Sequence, residues 1–185
     1  MTETETIARA QAGEEEAWRA LMQRYQQPVF RLAYLLIGDA AAAEDVAQET
    51  FTRAYRGLAR FDSTRPLRPW LLQITRRTVY NRQRSLRRYA QALGRLFQQQ
   101  RQTAPSAHEE TEAQEQALHL WTAVQRLARS DQEVIYLRYF LELSVGESAN
   151  ALGVASGTVK SRSSRALTRL RQVIETEFPE LASYG

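Results

Sequence analysis

Few residues in this chain could perform covalent or metal chemistry. There is no cysteine, which removes disulfides, thiolate zinc sites and cysteine nucleophiles together. His108 and His119 are the only histidines, and no carboxylates recur around them at ligand spacing. Metal and imidazole chemistry therefore have little to stand on, and no cofactor is expected. What remains is recognition by charge. Lys160, Ser161, Ser164, Arg165 and Thr168 lie off the apolar face of a helical pattern that contains no aspartate or glutamate. Arg76, Arg77, Asn81, Arg82, Arg84, Arg87 and Arg88 crowd a second segment, which repels itself when isolated and suits a polyanion. Glu44, Asp45, Gln48, Glu49 and Thr52 form a third ridge of opposite sign. Each ridge has a plainer reading as a solvated helix face, and acidic residues near a helix start also complement the helix dipole.

The elements that position these ridges are helices. Ala, Leu, Gln, Arg and Glu dominate while glycine and proline are sparse, so the 185 residues are expected to be nearly all helix. Thr4 or Thr6 can cap a first helix carrying Ile7 and Ala10 inward, and Gly13 interrupts it. Glu14 to Tyr25 resumes with Ala17, Trp18, Leu21, Met22 and Tyr25 on one face. Pro28 suits the first turn of a new helix, Val29 to Ile37, closed by Gly38-Asp39. Ala40 to Leu58 turns Ala47, Phe51, Ala54, Tyr55 and Leu58 inward. Arg60 to Pro69 reads as a loop, after which Trp70 opens a helix with Leu71, Ile74 and Thr78 inward. Periodicity is lost from Tyr89 to Gln116, a linker composition. It returns at Ala117 to Leu127, with Leu118, Trp121, Val124 and Leu127 inward, and Pro179 ends the last helix.

The basic ridge belongs to a helix-turn-helix. Glu147 to Leu152 gives one to two helical turns, and Gly153 can adopt the left-handed conformation that ends them. Val154 and Ala155 cross the turn, and Ser156 can cap a second helix. There Val159, Ser163, Ala166, Leu167, Leu170 and Ile174 share one face. Such a pair presents its basic second helix to DNA. An all-α chain of two small helical domains is expected, residues 1–92 and 114–178, joined by a flexible linker over 93–113. No apolar run reaches membrane-spanning length, and Met1–Glu16 lacks a basic segment followed by an apolar one. A cytoplasmic protein without membrane insertion is expected. The net charge of +4 favours a polyanionic partner only weakly; its distribution says more.

Leu127 to Leu170 closely resembles region four of the extracytoplasmic-function (ECF) sigma factors of bacterial RNA polymerase. The resemblance rests on Glu133-Val134, Leu137-Arg138-Tyr139-Phe140, Leu143-Ser144, Glu147, Ala149, Leu152-Gly153-Val154, Gly157-Thr158-Val159-Lys160-Ser161-Arg162 and Arg165-Ala166. Ala128 stands where that family usually has proline, and Ser148 and Ser163 where it usually has large aliphatics. The two serines should weaken this domain's core, each forfeiting about 1.5–3 kcal/mol of aliphatic burial. Ala43-Glu44-Asp45-Val46, Gln48-Glu49-Thr50-Phe51 and Arg53-Ala54 are similar to the region-two helix that grips the polymerase, whose partner is a basic coiled coil. Phe61, Pro69-Trp70-Leu71, Ile74 and Arg76 are similar to the part of region two that opens the −10 promoter element. Arg77 departs from the asparagine common there, and Asn81 replaces a frequent aspartate.

The resemblance covers nearly the whole chain, both domains in order. It implies a protein that binds core RNA polymerase and promoter DNA, duplex and melted, and performs no catalysis itself. It implies core contacts at Glu44, Asp45, Gln48, Glu49 and Thr52. The −10 contacts would be Phe61, Asp62, Ser63, Arg65, Trp70, Arg76, Arg77, Asn81 and Arg84. The −35 contacts would be Ser156, Thr158, Lys160, Ser161, Arg162, Ser164, Arg165 and Arg169, with Arg162 and Arg169 partly on phosphates. An inhibitory anti-sigma factor is a partner typical of the family. The rival reading is a stand-alone helix-turn-helix regulator, which would have no need of the acidic Glu44–Glu49 ridge.

Overall fold

The computed structural model describes the backbone of residues 2–93 and 112–182, and side chains within 2–86, 117–179 and at 181. Those residues form helices joined by turns and short loops, without a strand among them. The chain divides into two compact units, Met1–Ala104 and Pro105–Gly185. The proposed linker lies outside the described residues except at its two ends. The adjoining helices run further than the loss of periodicity suggests, one ending at Leu93 and the next starting at Glu112.

In the first unit, α1 (Glu3–Gln11) is capped neither by Thr4 nor by Thr6. Thr2 forms a capping box with Glu5, each side chain bonding the other's backbone N–H. Thr6 is buried and donates its hydroxyl to the Thr2 carbonyl, 3.0 Å away. Gly13, with φ of 91°, supplies the left-handed turn into the next helix. The two helices expected on either side of Pro28 are one, α2 (Glu15–Ile37). Proline removes a single N–H, whereas Leu21, Tyr25, Val29, Leu32 and Ala33 on both sides of it are all buried, so packing holds the helix through the break. Gly38 ends α2 at φ of 80°, and the Asp39 carboxylate accepts the Ala42 N–H at 2.7 Å to start α3 (Ala40–Leu58).

The buried stripe of α3 is Ala43, Val46, Thr50, Phe51, Ala54 and Leu58. Tyr55, expected inward, is 54% exposed, because the core side of this helix is already filled by Phe51 and Ala54. Helix α4 (Leu67–Leu93) opens three residues before Trp70, with Pro69 in its first turn, where no intrahelical N–H is needed. Ile7, Leu21, Val29, Phe51, Leu58, Leu67 and Leu71 make one core, and Ala33, Ala43, Val46 and Val79 a second.

In the second unit, α5 (Glu112–Gln125), α6 (Arg129–Ile135) and α7 (Val145–Leu152) pack against α8 (Ser156–Glu177), followed by the short α9 (Pro179–Ala182). Tyr136–Phe140 continues α6 as a π-helical turn. The Leu141 N–H reaches back to the Tyr136 carbonyl at 2.9 Å, and Glu142 takes a φ of 55°. Ser144 and Glu147 form a capping box at the start of α7, at 2.8 and 3.1 Å. Two residues that carried the resemblance thus have a local physical job. Ser144→Ala is expected to lower the stability of this unit by about 0.5–2 kcal/mol, read as an earlier urea midpoint.

Gly153 ends α7 at φ of 70°, as its type and position suggest. Ser156 is the first helical residue of α8 rather than its cap; Ala155 holds the extended cap position without a side-chain bond. The inward set of α8 is Val159, Ser163, Ala166 and Leu170. Leu167, expected among them, is 41% exposed, since it falls outside the stripe those four positions define. Ser148 and Ser163 are both buried, and neither hydroxyl finds a hydrogen-bond partner in the protein. A buried hydroxyl without a partner adds a desolvation cost to the aliphatic surface forgone at both positions.

Candidate nucleic-acid and polymerase interfaces

All five residues of the acidic ridge, Glu44, Asp45, Gln48, Glu49 and Thr52, are exposed along one flank of α3. Their charges are lightly engaged. Glu49 pairs with Arg53 one turn away at 2.6 Å, and Asp45 with Arg82 of α4 at 3.0 Å. Both pairs are solvent-exposed, a setting in which each contributes about 0.2–1 kcal/mol and exchanges readily for another cation. Beside the ridge, α2 and α3 enclose a groove of about 1120 Å³. Trp18, Met22, Phe30, Ala47, Phe51 and Tyr55 form its apolar floor, and Glu44, Gln48 and Thr52 stand on its rim with Arg31 and Arg56. The Trp18 ring lies 5.4 Å from Tyr55 and 6.3 Å from Phe51. The exposed Tyr55 is thus part of a surface. The inward stripes expected from spacing placed Trp18, Met22, Phe51 and Tyr55 with the core, and so gave no sign of this groove.

A second candidate surface is the loop 59–66 with the start of α4. Phe61 and Trp70 pack with ring centroids 4.7 Å apart and planes tilted 39°. A Cβ at Gly57 would meet the Trp70 ring at 3.4 Å, an ordinary van der Waals contact, so this packing does not require glycine there. Asp62 shapes the loop. Its carboxylate accepts the Thr64 hydroxyl at 2.7 Å and the Thr64 N–H at 3.0 Å. Those bonds hold the Asp62 carboxyl below its ordinary range, the hydroxyl contributing most. The turn is thus held at neutral pH and released as the pH falls through that lowered value. Thr64 was absent from the expected site, although Asp-x-Thr is a turn signal. Ser63 is half-buried, and Arg65 is exposed.

Along α4, Arg77, Asn81 and Arg84 are exposed at spacings of four and three, so one face carries two cations and an amide. Arg76 is half-buried, its guanidinium 5.4 Å from the Tyr80 ring centre. Arg87 and Arg88 have side chains outside the described residues.

In the second unit, Ser156, Lys160, Ser161, Ser164, Arg165 and Arg169 are exposed on α8, while Thr158 and Arg162 are half-buried. Arg165 donates Nε–H to the Ser161 carbonyl at 3.2 Å. Arg169 is tied down differently. Its Nη1 lies 2.5 Å from Oδ2 of Asp131, a carboxylate only 3% exposed. Asp131 had no signal in the sequence, being 38 residues away and in a polar helix start.

One helical unit carries an acidic flank and a loop of aromatics and cations, and the other is a helix-turn-helix with a basic second helix. Residues 21–89 match Sigma-70 region 2, and residues 118–170 match Sigma-70 region 4. The fold agrees: the structure of CnrH bound to the cytosolic domain of CnrY is similar at a TM-score of 0.71 over 95% of this chain and 98% of that one, at 23% identity.

Among curated proteins, the ECF RNA polymerase sigma factor SigL of Mycobacterium tuberculosis is 34% identical, over 91% of this chain and 95% of SigL. The ECF sigma factor BldN of Streptomyces coelicolor is 33% identical over 92% of this chain, which spans 65% of BldN. RpoE of Bartonella quintana, solved in complex with the anti-sigma factor NepR, is 25% identical, with a TM-score of 0.68 over 86% of this chain and 97% of RpoE. The chain belongs to the ECF RNA polymerase sigma factors, initiation factors that bind core RNA polymerase and direct it to specific promoters. No helix among the described residues is long and apolar enough to cross a membrane.

Proposed function

We propose that residues 1–92 hold core RNA polymerase and open the −10 element, and that residues 114–178 read the −35 element. The observation that carries this division is the placement of charge. The exposed acidic flank of α3 borders an aromatic groove, whereas the exposed faces of α4 and α8 are cationic. A basic helix pair on the polymerase fits the first, through its charge at the rim and its apolar side chains in the groove. DNA fits the others. Glu44, Asp45, Gln48, Glu49 and Thr52 make the grip. The loop residues Phe61, Asp62, Ser63 and Arg65 with Trp70 receive an unstacked base. Arg76, Arg77, Asn81 and Arg84 carry the strand, since a cationic track with aromatic platforms is what single-stranded DNA needs.

Lys160 and Arg165 face base edges, with Ser156, Thr158 and Arg162 toward the backbone. The polymerase performs the chemistry, and this chain supplies no catalytic group. It works in the cytoplasm with its polymerase. The RpoE–NepR complex supports an anti-sigma partner here too.

Gel filtration with core polymerase and a promoter fragment tests the proposal. All three should co-elute, and promoter binding should need the polymerase. A stand-alone regulator would bind the fragment without it. Base reading has its own test. A good bidentate contact contributes about 1–3 kcal/mol of discrimination, so Arg165→Ala should relax preference at one −35 position. Titration of the holoenzyme against a randomised −35 library reads this. Unchanged preference at every position would rotate the reading face toward Ser161 and Ser164.

A further inference from the structure

The loop 59–66 is attached at both ends to helix α1, by bonds that span most of the unit's sequence. At the α3 end, the Gln11 side-chain amide donates to the Leu58 carbonyl at 2.9 Å and to the Phe61 carbonyl at 2.7 Å. The Leu58 carbonyl, at the end of α3, also accepts the Phe61 N–H at 2.9 Å, and the one Gln11 amide carries two hydrogens, one for each carbonyl. At the α4 end, a Glu3 carboxylate oxygen accepts the Leu67 N–H at 3.2 Å, the first N–H of that helix. The other oxygen accepts the hydroxyl of Tyr25 at 2.7 Å. Burial and this bond keep that hydroxyl protonated, its pKa raised well above the usual tyrosine range. Glu3 and Gln11 close the two ends of a nine-residue helix. At 1.5 Å per residue they are about 12 Å apart along its axis. Between them, Ile7 is buried in the same core as Leu58 and Leu67.

We infer that α1 is a brace that presets the loop for its unstacked base, with Gln11 and Glu3 as positioning residues; this rests on the proposed role of that loop. The Phe61 carbonyl held by Gln11 belongs to the residue whose ring packs on Trp70. Fixing it fixes the aromatic wall of the receiving pocket. A loop ordered in advance loses less conformational entropy when DNA arrives, so the brace acts on capture rather than on folding alone.

The test uses the holoenzyme and single-stranded −10 oligonucleotides of the non-template strand, varied one base at a time. Gln11→Met keeps length and burial but removes both donors. One hydrogen bond to the loop and one to the last residue of α3 are lost, so the ratio between preferred and non-preferred oligonucleotides should fall about ten-fold, with core affinity unchanged. Glu3→Gln keeps an acceptor for Leu67 and should retain the ratio, whereas Glu3→Ala should lower it. Should Gln11→Met not fold, the pair of Glu3 variants gives the same readout. Equal weakening toward all oligonucleotides, or an unchanged ratio, overturns the brace and leaves α1 as packing only. Absence of any base preference in the wild-type holoenzyme instead overturns the role assigned to the loop, and the brace with it.

Discussion

Glu44→Lys is expected to weaken binding to core RNA polymerase by about 1.5–7 kcal/mol, the range of close interfacial charge pairs, with the helical signal unchanged. Glu44 is exposed on α3 and stands on the rim of the groove floored by Trp18, Met22 and Phe51. Its reversal puts a cation where a basic partner must come, beside a surface that contact would dry. Glu49 and Asp45 are less direct targets. Glu49 is shared with Arg53 on its own helix, and Asp45 with Arg82, so reversing either also disturbs an intramolecular pair. Arg53→Ala serves as the control. It removes a helix pair worth about 0.3–0.5 kcal/mol and leaves Glu49 free for the polymerase. Titration of labelled protein with core enzyme reads both. Wild-type affinity for Glu44→Lys would make the ridge a solvated face.

Arg169→Ala is expected to destabilise the second unit by about 2–3 kcal/mol. Breaking a buried ion pair costs about 3–5 kcal/mol because the remaining charge is stranded, and solvent access to the arginine reduces this. Asp131 is 3% exposed and Arg169 is 52% exposed, so it is the carboxylate that would be stranded. Adding Asp131→Asn should then recover much of the loss, because the stranded charge disappears. Urea denaturation of the single and double variants measures this. A phosphate contact alone would give another pattern: unchanged stability and a salt slope for promoter binding lower by about one. The ion pair ties α8 to α6, so the orientation of the reading helix depends on it.

The helices and both domain cores were legible in the sequence where periodicity was strong. Val159, Ala166 and Leu170 are inward as their spacing requires, and Gly153 ends α7. Errors arose where tertiary packing overrode a local signal. Pro28 reads as a boundary, yet buried residues on both sides carry α2 through it. Tyr55 and Leu167 are apolar enough to be taken as core, but the stripes beside them were already full.

The ridges of the candidate site were readable because exposed charge is a matter of composition and phase. The groove, the Asp131–Arg169 pair and the Gln11 contacts were not. Each joins residues far apart in the chain, and a glutamine near a helix end carries no local sign that it bonds carbonyls 47 and 50 residues away.

This chain selects where core polymerase starts. Mapping transcript 5′ ends made from genomic DNA by core enzyme, with and without the protein, tests it most directly. A defined set of new starts, sharing one −35 and one −10 element and lost with the protein, is the predicted result. A start profile identical with and without the protein, despite its binding to DNA, would contradict it.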